Sequence, residues 1–174
     1  MNFRYEICLS LPTYILMSMV NFKYFTFFLL LSTLVFSQNQ VEVSPPDFIK
    51  TIVFKSNTNE GQLPIFKLNE KLTLEFDALT ADEGDFYYEI IHCDFNWSPS
   101  RLVKSEYMQG FDNLRIINYE NSFNTYKIYS HYMLEIPNQQ TQLKVSGNYL
   151  MKIYDDYGEL MFTRKFMIYE DLSN

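Results

Sequence analysis

The sequence predicts an all-β fold: an immunoglobulin-like antiparallel β-sandwich of about seven strands with one long aromatic-rich loop, preceded by a signal peptide. Three observations carry this. Short apolar runs alternate with period two or are bounded by turn residues. Six or seven of them follow one another at turn-separated intervals, the rhythm of a sandwich. Beyond the leader, no stretch of about 12 residues holds a helical i, i+3, i+4, i+7 apolar pattern.

The leader occupies residues 1–37. Lys23 precedes an apolar run, Tyr24 to Phe36, broken only by Thr26, Ser32 and Thr33, and Ser37 follows it before the polar Gln38-Asn39-Gln40. The run has the length of a secretory h-region and falls short of the roughly 20 residues a transmembrane helix needs. Joining it to Ile7–Val20 as one membrane anchor would bury Lys23, at a cost of about 3 kcal/mol. Cleavage is therefore expected near Ser37. Met17 or Met19 is the expected true start, which makes residues 1–16 or 1–18 an upstream extension. Cys8 precedes the h-region, and no Cys follows it closely, so lipid attachment is not expected.

Residues 38–50, with Pro45-Pro46, read as an extended lead-in, and residues 51–170 as the sandwich, with 171–174 a tail. Thr51 to Lys55 is a β-branched run closed by the turn Ser56 to Gly61. Lys71 to Asp77 alternates cleanly, with Leu72, Leu74 and Phe76 on one face. Asp82 to Asp85 is a turn. Phe86 to Phe95 is apolar on both faces, as in a central strand covered on both sides. His131 to Ile136 alternates again, with Tyr132, Leu134 and Ile136 inward, and Pro137-Asn138 stops it. Asn148 to Tyr154 pairs with Leu160 to Tyr169 across Asp155 to Glu159, where Gly158 supplies the positive φ of the hairpin. Tyr149, just after Gly147, stands where a tyrosine corner falls. The expected core adds Met151, Ile153, Phe166 and Ile168.

Trp97 to Tyr129 breaks the rhythm. Leu114 to Ile117 can be a short strand, and the rest reads as loop. It holds Trp97, Tyr107, Phe111, Tyr119, Phe123, Tyr126 and Tyr129. So long a connection is unusual in a compact domain, and so many rings argue against disorder. Two readings stand: a cover folded over one end of the sandwich, or a docking surface with Trp97, Tyr107, Phe111, Phe123 and Tyr126 as partner-binding anchors.

Composition and missing motifs narrow the function. The full sequence carries a net charge of −7, and losing Arg4, Lys23 and Glu6 with the leader shifts the mature chain to −8, since −7 − 2 + 1 = −8. That excludes binding nucleic acid through clustered Lys and Arg. Cys93 alone survives cleavage, so no internal disulfide forms, and at the end of an apolar strand it reads as a small buried hydrophobe. His92 and Cys93 point to opposite faces of a strand, which with two His in all leaves a zinc site short of ligands. No nucleophile elbow, phosphate loop or H-E-x-x-H occurs. Asp155, Asp156 and Glu159 lack calcium-loop spacing and read as a solvated turn. No catalytic residue, cofactor, metal or small-molecule substrate is expected.

The words Tyr88-Glu89-Ile90-Ile91-His92-Cys93-Asp94-Phe95-Asn96-Trp97, Glu106 to Phe111, Tyr119 to Thr125, His131-Tyr132-Met133-Leu134-Glu135-Ile136-Pro137-Asn138, Gly147 to Tyr154 and Phe162 to Met167 occur in that order. From Val43 to Glu170 the chain resembles the first domain of the type IX secretion plug family of Bacteroidetes. The resemblance implies a non-catalytic periplasmic protein at the inner side of the outer membrane. Such a protein would bind the outer-membrane translocon barrel and close its periplasmic opening. Members of that family usually continue into further β-rich domains, so the resemblance leaves two readings of this chain, a fragment of a longer protein or an early-terminated one. The alternative is an exported carbohydrate-binding or adhesin-type sandwich, which would need Trp97 and several Tyr rings coplanar and facing solvent.

Overall fold

A computed structural model describes residues 41–56, 63–80, 83–111 and 113–171. The expected leader and upstream extension lie outside the described residues, as do most of the Ser56 to Gly61 turn and Asp82. The described residues are mostly β, with almost no helix. Its strands are β1 (Ile49–Ser56), β2 (Ile65–Lys67), β3 (Leu72–Ala78), β4 (Tyr87–Cys93), β5 (Met108–Gly110), β6 (Leu114–Arg115), β7 (Tyr119–Asn121), β8 (Ser130–Ile136), β9 (Thr141–Leu143), β10 (Gly147–Tyr154) and β11 (Leu160–Tyr169), with one helical turn, α1 (Lys104–Tyr107).

Two sheets face each other. One runs β1-β3-β8-β7, the other β2-β11-β10-β4-β6, and β5 with β9 forms a separate two-stranded ribbon. Alternation decides what lies between them. Antiparallel register sets Leu72 opposite Ile136, Leu74 opposite Leu134 and Phe76 opposite Tyr132. In the other sheet Tyr149 stands opposite Phe166 and Ile153 opposite Phe162. The two faces meet ring to ring, with Phe76 edge-on to Phe162 at 5.3 Å and Phe54 5.4 Å from Phe166. All eleven residues expected in the core are 5% exposed or less. Burying each large apolar side chain contributes about 1.5–3 kcal/mol, so this shared layer dominates the stability.

Three details depart from the sequence reading. Phe86 to Phe95 is a strand only from Tyr87 to Cys93; Phe95 is 90% exposed in the turn that follows. Its outer face is half-buried rather than fully covered, with Tyr87, Glu89 and Ile91 intermediate. The Trp97–Tyr129 segment is no continuous loop. It donates β6, within the expected short strand Leu114 to Ile117, to one sheet, β7 to the other and β5 to the ribbon, so it extends the edges of both sheets with short strands. The lead-in is held too: the Val43 amide donates to Thr163 Oγ1 at 2.7 Å, and the Thr163 amide returns a bond to the Val43 carbonyl at 3.2 Å.

Edge strand β1 carries a bulge between Lys50 and Val53, where Thr51 adopts φ 54°. A positive φ is costly for a β-branched residue. Such a bulge interrupts the regular ladder that an intruding strand would need.

Candidate interaction surface

The hairpin between β7 and β8 is built to present side chains. Its base is fixed from the core outward: Phe76 stacks on Tyr132 at 5.2 Å, and Tyr132 on Tyr119 at 5.4 Å. The Tyr119 hydroxyl donates to Glu83 Oε2 at 2.6 Å, and Asn121 Nδ2 donates to the other oxygen of the same carboxylate. These two donors hold the Glu83 carboxyl below its ordinary pKa, and the carboxylate in turn raises the Tyr119 phenol. The Ser130 hydroxyl donates to Asn121 Oδ1 at 2.7 Å. The neck is shut by Ser122 N to Tyr129 O and Tyr129 N to Ser122 Oγ, both 2.9 Å. Beyond it Asn124 takes φ 55°, which lets the turn close. At the tip Phe123 is 93% exposed, Tyr126 113% and Ile128 57%.

The expected anchors do not converge. Phe123 and Tyr126 share this tip. Trp97 sits at φ 64° in the turn after β4, its amide on the Asp94 carbonyl, and the Lys165 ammonium lies 4.6 Å over its ring. Phe111, exposed, follows β5, with its amide on the Gln140 carbonyl and its own carbonyl accepting from the Thr141 hydroxyl. Tyr107 corrects the sequence reading. It is buried, its ring packs beside His92 and Tyr149, and its hydroxyl donates to the Ile90 carbonyl at 3.1 Å. A ring that completes the core is not a surface anchor. Sequence reasoning missed Ile128 and Tyr157, both exposed; the available signal was a large apolar residue inside an otherwise polar turn.

Several polar groups elsewhere are engaged structurally. Asp155 Oδ1 accepts the amides of Tyr157 and Glu159 at 3.0 and 2.7 Å, which caps the β10–β11 turn. Beside it lies an open recess of 570 Å³ with walls from Tyr87, Glu89, Lys104 and Tyr154. Glu89 there is met by the Tyr154 hydroxyl at 3.1 Å and by Lys104 and Lys152 at 3.7 and 4.0 Å. His92 bonds Ser100 through Nδ1 at 2.8 Å, while Cys93 is buried, which pushes its thiol pKa up. Among the described residues no group of His, Cys, Asp and Glu is placed to hold a metal ion, and no helix is long and apolar enough to cross a membrane.

The description "type 9 secretion system plug protein first domain" matches residues 49–170, which is β1 through β11. The chain belongs to the type 9 secretion system plug protein family. The plug domain is also similar to the crystal structure, at 2.30 Å resolution, of a hypothetical protein from Parabacteroides merdae ATCC 43184, with 32% identity and a TM-score of 0.68 over 74% of this chain. This chain spans 34% of that protein's length. A DNA glycosylase from Pseudomonas fluorescens, bound to DNA containing an abasic site analog, aligns over 69% of this chain and 29% of its own at 10% identity and a TM-score of 0.37, which is too low to carry an argument. No curated protein matches. Membership ties the plug domain to type 9 secretion and suggests a non-enzymatic role at the cell envelope.

Proposed function

We propose that the plug domain is a non-catalytic component of type IX secretion that sits in the periplasm against the outer membrane. There it binds the translocon barrel and helps close its periplasmic opening. The observation that carries this reading is the family match over residues 49–170. The proposed contacts lie among the rings of the 97–129 segment that reach the surface, Phe111, Phe123 and Tyr126, with the half-buried Trp97. Tyr and Trp bury large area for little entropy, which suits them to such a role.

The finer fold we propose is immunoglobulin-like. What supports it is the strand order, which parallels the ABED and CFG pairing of that fold with extra short strands at the edges. The Tyr149 hydroxyl also donates to the Val145 carbonyl at 2.7 Å, four residues upstream at the start of the penultimate long strand, as a tyrosine corner does. The carbohydrate-binding alternative gains no support from the geometry. One face of Trp97 is taken by Lys165, and Phe111, Phe123 and Tyr126 lie on two separate turns.

The test is co-purification of a tagged, exported chain with the outer-membrane translocon. Retention on the barrel is expected. Recovery without it, in cells that make the translocon normally, would reject the reading.

A further inference from the structure

Two hairpin tips share one end of the sandwich. β3 finishes where β8 begins, with Ala78 opposite Ser130, and β10 finishes where β4 begins, with Tyr154 opposite Tyr87. The connection from β3 to β4 therefore lies at the same end as the β7–β8 and β10–β11 turns. Phe123, Tyr126 and Ile128 project from one tip, and Tyr157, 88% exposed, from the other. Lys127 is the only cation on either tip. Carboxylates share this end: Glu83 bonded to β7 at the base of the first hairpin, Asp85 in the β3–β4 connection, and Asp156 and Glu159 on the second turn. Arg115 offsets Asp85 at 2.6 Å.

Exposed rings with carboxylates at the same end of the fold suit a protein interface, where aromatic anchors act beside polar groups. The first tip projects on a hairpin closed at its neck, so its complement is a hollow. Charge complementarity makes the rim of that hollow basic. A bilayer fits less well, because the same carboxylates meet anionic headgroups unfavourably. We infer that this loop end, rather than the separate turns carrying Trp97 and Phe111, docks the domain into an apolar, basic-rimmed hollow at the periplasmic opening of the translocon. The inference rests on the functional reading above and names the surface and the chemistry it requires.

The experiment places a photo-crosslinking phenylalanine analogue singly at Phe123, Tyr126 or Tyr157 of the full chain, with the exposed positions Phe95 and Phe111 as controls. All five side chains are largely exposed, so the substitutions leave the core intact. Adducts with the translocon are expected from the tips at about fivefold or more the control level. The Asp156→Asn, Glu159→Gln double variant should lower co-purification roughly threefold at low salt and less at high salt. Equal adducts at the controls, or none from the tips while the unmodified chain still co-purifies, overturn this inference alone. Failure of the unmodified chain to co-purify overturns the functional reading together with it. Flotation with phosphatidylglycerol vesicles that is lost in Phe123→Ser would assign the tips to lipid and overturn the protein hollow.

Discussion

Tyrosine hydroxyls do much of the fastening at the residue scale, because a buried ring must still satisfy its O–H. Tyr132 donates to the Gly84 carbonyl at 2.8 Å and accepts the Gly84 amide at 3.1 Å, which latches the β3–β4 connection to β8. Tyr88 shares a bond of 2.7 Å with Thr141, and Tyr149 donates to Val145. Burial raises the Tyr149 phenol well above its ordinary pKa, so the donor stays protonated throughout the accessible range. Tyr149→Phe should cost about 1–2 kcal/mol in urea unfolding, the loss of one partly buried bond and the desolvation of its acceptor. Glu83 gives a pH signature. Its folded pKa is depressed by Tyr119 and Asn121, so its contribution is present above the unfolded carboxylate range and fades as pH falls through the lower folded value. Wild type should therefore exceed Glu83→Gln in stability at neutral pH, with the gap closing in acid. A gap that widens in acid would contradict the assignment.

At the scale of elements, long alternating strands were legible and short ones were not. β3, β8 and β10 each run seven or eight residues with their apolar side chains in phase, enough periods for the pattern to fix both strand and face. β5, β6 and β7 have two or three residues each, and no periodicity survives at that length. They are specified by tertiary pairing, so β5 and β7 read as loop, and only β6 was visible, through the apolar run Leu114 to Ile117. The same blindness placed Tyr107 on the surface. Glycine spacing shows the tertiary constraint directly. Gly110 has φ 90°, and a Cβ there would stand 1.9 Å from the Gln140 carbonyl oxygen, whereas at Gly158, φ 79°, nothing lies within 4 Å. Gly158→Ala should cost only the backbone strain of about 1–2 kcal/mol. Gly110→Ala must also push β5 from β9 and should cost roughly 2–4 kcal/mol. Comparable losses by chemical denaturation would mean that the ribbon gives way freely. The hairpin tip was half legible: its rings stood out in the sequence, but its separation from Trp97 and Phe111 depends on which sheet each short strand joins.

For the molecule as a whole, the decisive feature is that one apolar layer serves both sheets. Phe76 belongs to the four-stranded sheet and touches Phe162 of the other, and buried residues of both sheets form a single cluster. Among the described residues neither sheet has a second core to retreat to, so the two should unfold together. The single Trp of the chain makes this measurable. Trp97 lies under Lys165 of β11 and reports on the five-stranded sheet, while Leu74 is fully buried in the four-stranded one. Leu74→Ala should destabilise by about 2–5 kcal/mol, the range for deleting a buried leucine side chain. Because the layer is shared, that loss should move the Trp97 fluorescence transition as far as the far-UV circular dichroism transition, with the denaturant slope unchanged. A fluorescence transition that stays in place while the dichroism shifts would mean that the sheets unfold independently. The loop end would then ride on one sheet rather than on the whole sandwich. A hairpin presented to a partner keeps its geometry only as well as the layer beneath it. The stack from Phe76 through Tyr132 to Tyr119 ties the tip to that layer, so Leu74→Ala should loosen the docking end from the inside, before any contact residue is touched.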